Sequence, residues 1–228
     1  MTKPDLNKEK KAAAEKAVEF IESGMLVGLG TGSTVRFMIE SLAKKIKSGL
    51  DIKAISTSTT TSSFAESVGI TVLNFSDVDE IDLTIDGADE VDQNLNGIKG
   101  GGGALLYEKI VASSSKKNIW MVDSTKCVEL LGRFPLPLEV LPFGAKQTFN
   151  KLFSLGYKPK FRTMDGKNYV TDGNHYIIDL HLNKIEKPDE LHNKLLIIPG
   201  VIETGLFLGI CDLLILSEGD ECKVISIK

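Results

Sequence analysis

The chain has 228 residues, of which 42% are hydrophobic and 25% are charged, and its formal net charge is −4. This composition is typical of a globular protein with one large domain, or one medium and one small domain, that needs no disulfide or metal to complete its core. The acidic balance argues against nucleic acid as a main partner, and the longest apolar run, residues 205–216, is too short to span a membrane and contains Asp212.

The N-terminal residues and the cysteines both bear on the cellular location of the protein. The N-terminal residues are charged and lack the apolar core of a secretory signal. Cys127, Cys211 and Cys222 are odd in number and share no C-x-x-C spacing. We therefore expect reduced thiols in a cytoplasmic protein.

Helix and strand patterns alternate through the first 130 residues. Small and apolar residues recur at helical spacing from Lys8 to Ile21, and Gly24 ends this predicted helix. The next segments are predicted as strand, helix, strand, helix, strand, strand, helix and strand: MLVGLG, STVRFMIESLAKKI, IKAIS, TTSSFAESVG, TVLNF, EIDLTIDG, GALLYEKIVASS and KNIWMVD. This alternation predicts an α/β domain with a doubly wound, mostly parallel, Rossmann-like sheet covered by helices on both faces.

The pattern changes after Cys127, where three prolines within residues 133–142 indicate an edge strand or a linker. The next segments are predicted as strand, helix, strand, strand, helix and strand: FPLPLEV, GAKQTFNKLFSLG, KPKFRT, HYIIDLHL, PDELHNKLLI and VIETGLF. This order predicts a small ferredoxin-like α+β domain over residues 131–205, inserted before the C-terminal strands. The larger domain then comprises residues 1–130 and 206–228, and its last segment is predicted as a hairpin that turns near Glu218 and rejoins the first sheet.

Residues 28–35, GLGTGSTV, stand where the first strand passes into a helix. Ligands of parallel sheets bind outside the carboxyl ends of the strands, and N–H groups at a helix N-terminus favour an anion. The segment therefore predicts a phosphate site, with a tight turn that binds nothing as the alternative. A dinucleotide fingerprint is disfavoured because Ser33 replaces its last glycine and no acid ends the next strand, and a P-loop is excluded because no G-K-[ST] follows. The hydroxyl-rich residues 56–63 could hydrogen-bond a polar ligand or cap the next helix, and we favour the cap.

The acidic segment DGADEVD follows a predicted strand at the same edge of the sheet. Asp86 and Asp89 are three residues apart across a glycine and could converge on one ligand, although Asp-Gly pairs also favour turns. Residues 92–97 begin like a calcium loop, but Gly103 stands where such a loop needs its glutamate. We therefore expect no calcium site in this segment.

A lysine and four glycines, residues 99–103, lead directly into a predicted helix. Consecutive glycines let a backbone wrap closely around a ligand with several N–H groups directed at it, and Lys99 adds a positive charge. Glu108 lies early in the following helix, and Lys126 ends the next predicted strand. Each residue alone would be interpreted as a solvated surface group, but all of them share one predicted sheet edge, which favours a common site.

Four segments together resemble a known family: GTGST, DGADEVD, KGGGGAL followed by EKIVA, and VDSTK occur in the order and spacing of ribose-5-phosphate isomerase, type A. The resemblance extends over essentially the whole chain. It implies reversible isomerisation of D-ribose 5-phosphate and D-ribulose 5-phosphate through an enediolate, in the non-oxidative pentose phosphate pathway. It also implies a cytoplasmic homodimer or homotetramer with no cofactor or metal, and with neither nucleic acid nor membrane as a partner.

The resemblance also assigns functional positions residue by residue. The phosphosugar loop falls on Thr31, Gly32, Ser33 and Thr34, the acidic loop on Asp86, Gly87, Ala88 and Asp89, and the glycine loop on Lys99, Gly100, Gly101 and Gly102. The proton-transferring base falls on Glu108, and a substrate-binding lysine falls on Lys126. Lys99 and the glycine-loop amides would stabilise the enediolate, whereas the two aspartates would move protons between oxygens, with their roles undivided. Lys10 could match a lysine of the family that lies near the phosphate, but the pattern of the first helix is too generic to assign it.

Two other classes of protein stay open at this point. An amino-sugar phosphate deaminase would need its own motifs in place of the glycine loop, and a sugar-phosphate sensor would need an effector segment such as a DNA-binding helix-turn-helix. A turnover assay with ribose 5-phosphate separates the three classes. His175, His181 and His192 lie in the predicted small domain and are interpreted as surface or core residues.

Overall fold

The computed structural model describes residues 4–219 and 221–226. The helices are α1 (Leu6–Val18), α2 (Ser33–Lys47), α3 (Thr59–Ser67), α4 (Leu105–Ser113), α5 (Ala145–Ser154) and α6 (Pro188–Leu196), with a 3₁₀ turn at Phe75–Asp77. The strands are β1 (Leu26–Leu29), β2 (Lys53–Ser56), β3 (Leu83–Gly87), β4 (Glu90–Val91), β5 (Gly97–Ile98), β6 (Asn118–Asp123), β7 (Leu136–Val140), β8 (Pro159–Phe161), β9 (Thr163–Met164), β10 (Lys167–Asn168), β11 (Tyr176–Leu180), β12 (Val201–Thr204), β13 (Leu206–Phe207), β14 (Leu213–Glu218) and β15 (Glu221–Ile225).

These residues form two compact units that each combine separate stretches of the chain. The first unit contains the described residues of 1–88, 107–127 and 209–228, and the second contains residues 89–106 and 128–208. The predicted domains differ from this division at residues 89–106, 128–130 and 206–208, all of which were assigned to the larger domain. The outer limits of that predicted domain, residues 1 and 228, lie outside the described residues.

The first unit is built on a six-stranded sheet in the order β15-β14-β6-β3-β1-β2. Five of these strands run parallel, and β15 pairs antiparallel with β14 in a hairpin. The predicted parallel-dominated sheet and the predicted C-terminal hairpin that rejoins it are both confirmed. The strand expected at residues 71–75 is reduced to one bridge between Val72 and Ala54, because Asn74 caps the 3₁₀ turn that follows at once.

Alternation along the strands distributes apolar side chains over two faces of this sheet. Val27 and Leu29 of β1 belong to the main core together with α1 and α2, whereas Leu26 packs against a second cluster that includes Val111 of α4. Full burial of such a side chain contributes roughly 1.5–3 kcal/mol. Both faces are therefore covered, as the alternating helix and strand pattern predicts.

Parallel pairing brings the carboxyl ends of β1, β3 and β6 to one edge of the sheet. Leu29 lies opposite Ile85, and Gly87 lies opposite Met121. Residues 30–34 follow the end of β1, residues 124–127 follow the end of β6, and Asp86 and Gly87 are the last two residues of β3. The predicted phosphosugar loop, the start of the acidic loop and the turn that carries Lys126 therefore share this edge.

The second unit contains a four-stranded antiparallel sheet in the order β12-β7-β11-β8. Helices α5 and α6 pack against its outer strands, and Leu138, Leu152 and Leu195 lie in the shared core. Because β7 lies inside this sheet, the interpretation of the proline-rich segment as an edge strand or linker was wrong. Pro137 is tolerated because it lies opposite Gly205, beyond Thr204, which is the last residue of β12 that pairs with β7. The N–H group that proline lacks therefore costs no hydrogen bond of the β7–β12 ladder.

The segment predicted as one strand at residues 201–207 is two strands that belong to different sheets. β12 ends at Thr204, and β13 pairs with β5, which pairs with β4 in a small three-stranded sheet that the sequence did not reveal. At the break, Gly205 donates its N–H to the Pro137 carbonyl at 2.7 Å and accepts the Lys99 N–H at 2.9 Å. A Cβ on residue 205 would lie 2.4 Å from the Lys99 carbonyl oxygen, so this close crossing needs glycine.

Among the helices of residues 4–219 and 221–226, none combines the length and the apolar composition that crossing a membrane requires.

Candidate active site

The first part of the site is the loop of residues 30–34, which leaves β1 and enters α2. The Gly30 N–H donates to the Ile85 carbonyl at 3.0 Å, which holds the loop against β3. A Cβ on residue 30 would lie 1.9 Å from Oδ1 of Asp86, so only glycine permits this approach. Gly32 has φ +120°, and within the described residues no side chain caps the first turn of α2, which also lacks an acid. The N-terminal N–H groups and the dipole of α2 suit an anion there.

Asp86 of β3 holds this loop in place. Its side chain is only 3% exposed, and Oδ1 accepts the N–H of Thr31 at 3.0 Å and the N–H of Gly87 at 2.7 Å. One carboxylate oxygen therefore joins the phosphosugar loop to the start of the acidic loop, which continues through Ala88. The structure brings Thr31 and Asp86 together at the edge where both were predicted.

A cluster of hydroxyl groups at the end of β2 fixes the side chain of Thr31. Its Oγ1 lies 2.8 Å from both Oγ1 of Thr57 and Oγ of Ser58. Ser58 also accepts the Thr61 N–H at 3.2 Å and caps α3, which confirms the predicted cap. Sequence reasoning missed the second task of this cluster, although hydroxyl groups at the carboxyl end of a neighbouring parallel strand were a usable signal.

Lys126 lies partly exposed in the turn that follows β6. Glu9 of α1, whose side chain is 2% exposed, holds this turn from behind. Its Oε2 accepts the N–H of Ser124 at 3.0 Å and the Ser124 hydroxyl at 2.8 Å, and its Oε1 accepts the N–H of Gly219 at 2.9 Å. The position of the lysine therefore depends on a buried acid more than a hundred residues away in the chain.

The electrostatics of Glu9 combine two opposing effects. Burial raises the pKa of its carboxyl, but the hydrogen bonds from Gly219 and Ser124 outweigh burial, so the pKa lies below its ordinary value. Sequence reasoning missed Glu9. The available signal was its spacing: it lies four and eight residues before Ala13 and Ala17, on the buried face of α1.

Glu108 lies in the first turn of α4, as its predicted early position in a helix required. Its side chain is 3% exposed. Burial of a carboxylate is costly unless it has a task, and the N-terminal end of a helix favours its negative charge. Its surroundings therefore differ from those of a solvated helix residue.

In the second unit, Lys99 is buried at the start of the glycine loop, with 3% of its side chain exposed. Its Nζ lies over the ring of Phe207, 5.2 Å from the ring centroid. Its N–H donates to Gly205, as described for the break between β12 and β13. Backbone pairing and the aromatic ring thus fix both ends of this lysine.

Asp89 holds the glycine loop through one N–H group. Its Oδ2 accepts the N–H of Gly101 at 2.7 Å, and its own N–H donates to the Ile98 carbonyl at 2.8 Å. A Cβ on residue 101 would lie 2.6 Å from Oδ1 of Asp89, which leaves room only for glycine. The acidic and glycine loops therefore meet in this unit through Asp89.

Two side chains that sequence reasoning missed hold the carbonyl groups of the same loop. Arg162 donates from Nη1 to the carbonyl oxygens of Gly100 at 2.7 Å and Gly101 at 3.1 Å. Tyr169 donates its hydroxyl to the Gly102 carbonyl at 3.2 Å. Burial, followed by the nearby carboxylate of Asp172, raises the pKa of Tyr169, which keeps the hydroxyl protonated and able to donate.

The segment that resembles the start of a calcium loop is a hairpin turn between β4 and β5. Oδ1 of Asp92 accepts the N–H groups of Asn94 at 2.8 Å and Asn96 at 2.9 Å. Turn chemistry therefore accounts for the pattern of acids and amides. Within residues 4–219 and 221–226, no three His, Cys, Asp or Glu side chains are grouped in a way that could hold a metal ion.

The histidines contribute to the second unit by packing and hydrogen bonding. Nδ1 of His175 lies 3.0 Å from Oε1 of Glu139, and Nδ1 of His192 lies 2.8 Å from Oγ1 of Thr204. His181 is exposed. These surroundings agree with their interpretation as core or surface residues.

Comparison with known proteins identifies relatives over the whole chain. The sequence model of the family described as ribose 5-phosphate isomerase A (phosphoriboisomerase A) matches residues 53–221. Ribose-5-phosphate isomerase A of Bifidobacterium adolescentis is 49% identical over 226 residues, which cover 98% of this chain and 97% of that protein. The protein of the same name from Levilactobacillus brevis is also 49% identical, over 98% of this chain and 99% of its own.

A solved structure has the same fold over nearly the full length. A D-ribose-5-phosphate isomerase in complex with phospho-erythronic acid superimposes with a TM-score of 0.94 at 37% identity. The match covers 98% of this chain and 100% of that one.

Proposed function

The chain belongs to the ribose 5-phosphate isomerase A family, and on this premise we propose a mechanism in which Glu108 transfers the proton. The enzyme is an isomerase that interconverts ribose 5-phosphate and ribulose 5-phosphate. This reaction moves a proton between two neighbouring carbons of the open-chain sugar, so one base must take the proton and return it. The observation that carries the assignment is a carboxylate only 3% exposed in the first turn of the helix that follows the glycine loop in the chain.

Removal of the proton leaves an enediolate, whose oxygens need stabilisation. We assign this role to the ammonium group of Lys99 and to the N–H groups of Gly100, Gly101 and Gly102. The burial of Lys99 and the hydrogen bonds that hold the loop carbonyls support the assignment, because preorganised donors lose little free energy to reorganisation when charge develops.

Asp86 and Asp89 receive different roles in this mechanism. Asp86 is buried and already binds the N–H groups of Thr31 and Gly87. These contacts support a role in holding two proposed substrate-binding segments in place, the phosphosugar loop and the start of the acidic loop as far as Ala88. Asp89 is less buried and binds Gly101 through one oxygen. We propose Asp89 as the acid–base group for ring opening and for proton movement between the sugar oxygens, with Asp86 supporting it.

The phosphate group is assigned to Thr31, Gly32, Ser33 and Thr34, with Lys126 as a charged contact. The N-terminus of α2, without an acid in its first turn, supports this assignment. Phosphate keeps the same charge throughout the reaction, so these contacts anchor the substrate and do not enter the chemistry.

Two structural expectations stay with the proposal. The second unit is proposed to be ferredoxin-like. When β7, β8, β11 and β12 are numbered one to four in chain order, they stand side by side in the order four, one, three, two, with antiparallel neighbours.

A homodimer or homotetramer is proposed because Phe143 and Ile197 expose 89% and 80% of their surface, which association would cover. Light scattering coupled to size-exclusion chromatography measures that state.

A turnover assay with ribose 5-phosphate, run in D₂O as well as in water, tests the proposed function. We expect formation of ribulose 5-phosphate and incorporation of solvent deuterium at the reacting carbons, because an enediolate exchanges its proton through the base. Lack of any turnover would contradict the activity. A second experiment uses ribose 5-phosphate that carries deuterium at its second carbon, in ordinary water. Complete transfer of that deuterium to the first carbon would indicate a hydride shift and contradict the enediolate.

A further inference from the structure

We propose that Arg162 is a positioning residue for the isomerisation, acting on the enediolate through the peptide groups of the glycine loop. This inference rests on the proposed role of that loop. Arg162 lies about sixty residues beyond the loop in the chain, outside every motif that the sequence revealed. Its effect is assigned to orientation and polarisation of the loop, without direct contact with the substrate.

The guanidinium group divides its donors between an acid and the loop. Nε and Nη2 donate to the two carboxylate oxygens of Asp179, at 3.0 Å and 2.5 Å. Nη1 donates to the carbonyl oxygens of Gly100 and Gly101, at 2.7 Å and 3.1 Å. The side chains of Arg162 and Asp179 are 16% and 17% exposed, so this arrangement is shielded from solvent. Two N–H groups locked by one carboxylate aim the third nitrogen at the loop.

Because each peptide group is planar, the hydrogen bonds from Arg162 to the Gly100 and Gly101 carbonyls also orient the N–H groups of the residues that follow. In a trans peptide, the N–H of one residue points opposite to the carbonyl of the residue before it. Arg162 therefore sets the directions of the Gly101 and Gly102 N–H groups through the preceding carbonyls. The Gly101 N–H is directed at Oδ2 of Asp89, at 2.7 Å, on the side away from the arginine. Tyr169 holds the next carbonyl, that of Gly102, in the same way.

The positive charge of Arg162 acts on the peptide groups of the glycine loop in addition to orienting them. A cation that donates to a carbonyl oxygen withdraws electron density from the peptide, which makes its N–H a stronger donor to a developing anion. Lysine would keep the charge but lacks the planar fork that serves Asp179 and two carbonyls together. The site thus requires arginine specifically, which provides a conservative variant with an intermediate expected effect.

The test compares Arg162→Gln and Arg162→Lys with Arg133→Gln. Arg133 is the matched control because it is an exposed arginine of the same unit. We expect kcat to fall by about tenfold to a hundredfold in Arg162→Gln, less than the roughly 10²–10³-fold loss that removal of a direct oxyanion donor causes. Arg162→Lys should fall between that variant and the wild type. The KM for ribose 5-phosphate should change less than about threefold, since the phosphate contacts are intact.

Inhibition separates this role from a merely structural one. Phospho-erythronic acid carries a phosphate and a carboxylate, and the carboxylate resembles the enediolate in charge. If the glycine loop stabilises the enediolate as proposed, the inhibition constant of this acid should rise by the same factor as kcat/KM falls. Inhibition by inorganic phosphate should be unchanged in the same variants. An Arg162→Gln enzyme with kcat within threefold of the wild type, or with phosphate inhibition weakened as much as phospho-erythronic acid inhibition, would overturn the proposal.

Folding and the proposed function are controlled separately. If Arg162→Gln lacks the native circular dichroism spectrum, Arg162→Lys and Tyr169→Phe decide the question by the same two inhibition constants. In either variant, selective weakening of phospho-erythronic acid inhibition supports the positioning role, and equal weakening of both inhibitors overturns it. A wild-type protein without turnover would contradict the proposed function itself, whereas an active wild type with unaffected Arg162 variants would contradict only this inference.

Discussion

The phosphosugar loop of the first unit and the glycine loop of the second unit present backbone N–H groups by two different constructions. The first loop enters a helix, so the N–H groups of α2 are directed outward by the helix itself, and an acid and hydroxyl groups hold the turn. The glycine loop forms its own turn before α4 begins, and side chains hold its carbonyls instead. The glycine loop, which is the proposed enediolate site, is thus held by side-chain donors to its carbonyl groups, whereas the first loop depends on the helix that it enters.

The proposed mechanism gives the two loops different tasks, phosphate binding for the first and enediolate stabilisation for the second. Phosphate has a constant charge, so a helix N-terminus that binds it equally throughout the reaction improves affinity without lowering the barrier. Enediolate charge appears only during the reaction, and donors that are oriented in advance lower the barrier itself. We therefore expect substitutions around the first loop to change KM and substitutions around the second loop to change kcat.

The largest expected effect is that of Glu108→Gln, which removes the proposed base. Glutamine keeps the volume and one carbonyl oxygen but cannot accept a carbon-bound proton at neutral pH. Acid–base catalysis by a positioned side chain contributes roughly 10²–10⁴-fold, and because one group both takes and returns the proton we expect the upper end of that range. A coupled ribulose 5-phosphate assay measures this loss, with deuterium exchange at the second carbon as the second measurement.

Glu66→Gln, a charge-matched change on the exposed surface of α3, is the control for Glu108→Gln and should leave kcat unchanged. A Glu108→Gln enzyme that keeps more than about a tenth of the wild-type kcat, or exchanges the proton normally, would place the base elsewhere. Asp89 would then be the next candidate.

A matched pair of glycine substitutions compares the two loops directly. Gly30→Ala would place Cβ 1.9 Å from Oδ1 of Asp86, and Gly101→Ala would place it 2.6 Å from Oδ1 of Asp89. We expect Gly101→Ala to lower kcat by about 10²-fold, because the added Cβ would displace Asp89 and turn the loop N–H group that it holds, and Gly30→Ala to act mainly on KM. Steady-state kinetics of both variants make the comparison.

Gly156→Ala is the control for this pair, because no heavy atom lies within 4 Å of the added Cβ. Its positive φ of 84° should lower stability slightly while leaving both kinetic constants unchanged. If Gly30→Ala and Gly101→Ala changed KM and kcat in the same proportions, the proposed division of work between the loops would be wrong.

Lys126→Ala should weaken substrate binding more than it slows the chemistry. Loss of one charge-assisted contact to phosphate costs roughly 1.5–3 kcal/mol, or about tenfold to a hundredfold in affinity. The loss should appear in KM, because phosphate has the same charge in the ground and transition states. Lys158→Ala, at an exposed position of the second unit, is the control. A collapse of kcat at constant KM would instead place Lys126 at the reacting carbons.

The smallest expected effect is on stability, through the acid that supports the Lys126 turn. The pKa of Glu9 is lowered from 4.5 in the folded protein, so its contribution to stability is present above that value and is lost as pH falls through the folded-state pKa. Glu9→Gln should therefore lower the free energy of unfolding by about 1–3 kcal/mol at pH 7, and by progressively less below pH 4.5.

Urea unfolding of Glu9→Gln at several pH values measures this effect, with Glu15→Gln as the control on the same helix because Glu15 is exposed. The deficit of Glu9→Gln should shrink in acid, whereas Glu15→Gln should track the wild type at every pH. A deficit that stayed constant from pH 7 to pH 3 would show that packing, and not the charged hydrogen bonds to Ser124 and Gly219, explains the role of Glu9.

The sequence by itself determined the parallel-dominated sheet, the C-terminal hairpin, the cap at Ser58 and the family. Each depends on a short-range signal: strands and helices have periods of a few residues, caps and turns have preferred side chains, and the four family motifs are contiguous. The carboxyl-end rule also placed residues 30–34, Asp86 and Lys126 at one sheet edge, since parallel strands end on the same side.

Only the tertiary structure decided which distant groups hold those motifs in place. Nothing near Arg162 or Glu9 in the chain indicates that their partners lie at Gly100 and Ser124, because such partners are selected by sheet order and helix packing. The same reason explains the errors at Pro137 and Gly205: strand periodicity does not reveal where one sheet stops pairing and the next begins. Local sequence patterns therefore predict the helices, the strands and the candidate site residues, whereas long-range packing determines which distant side chains hold those residues in position.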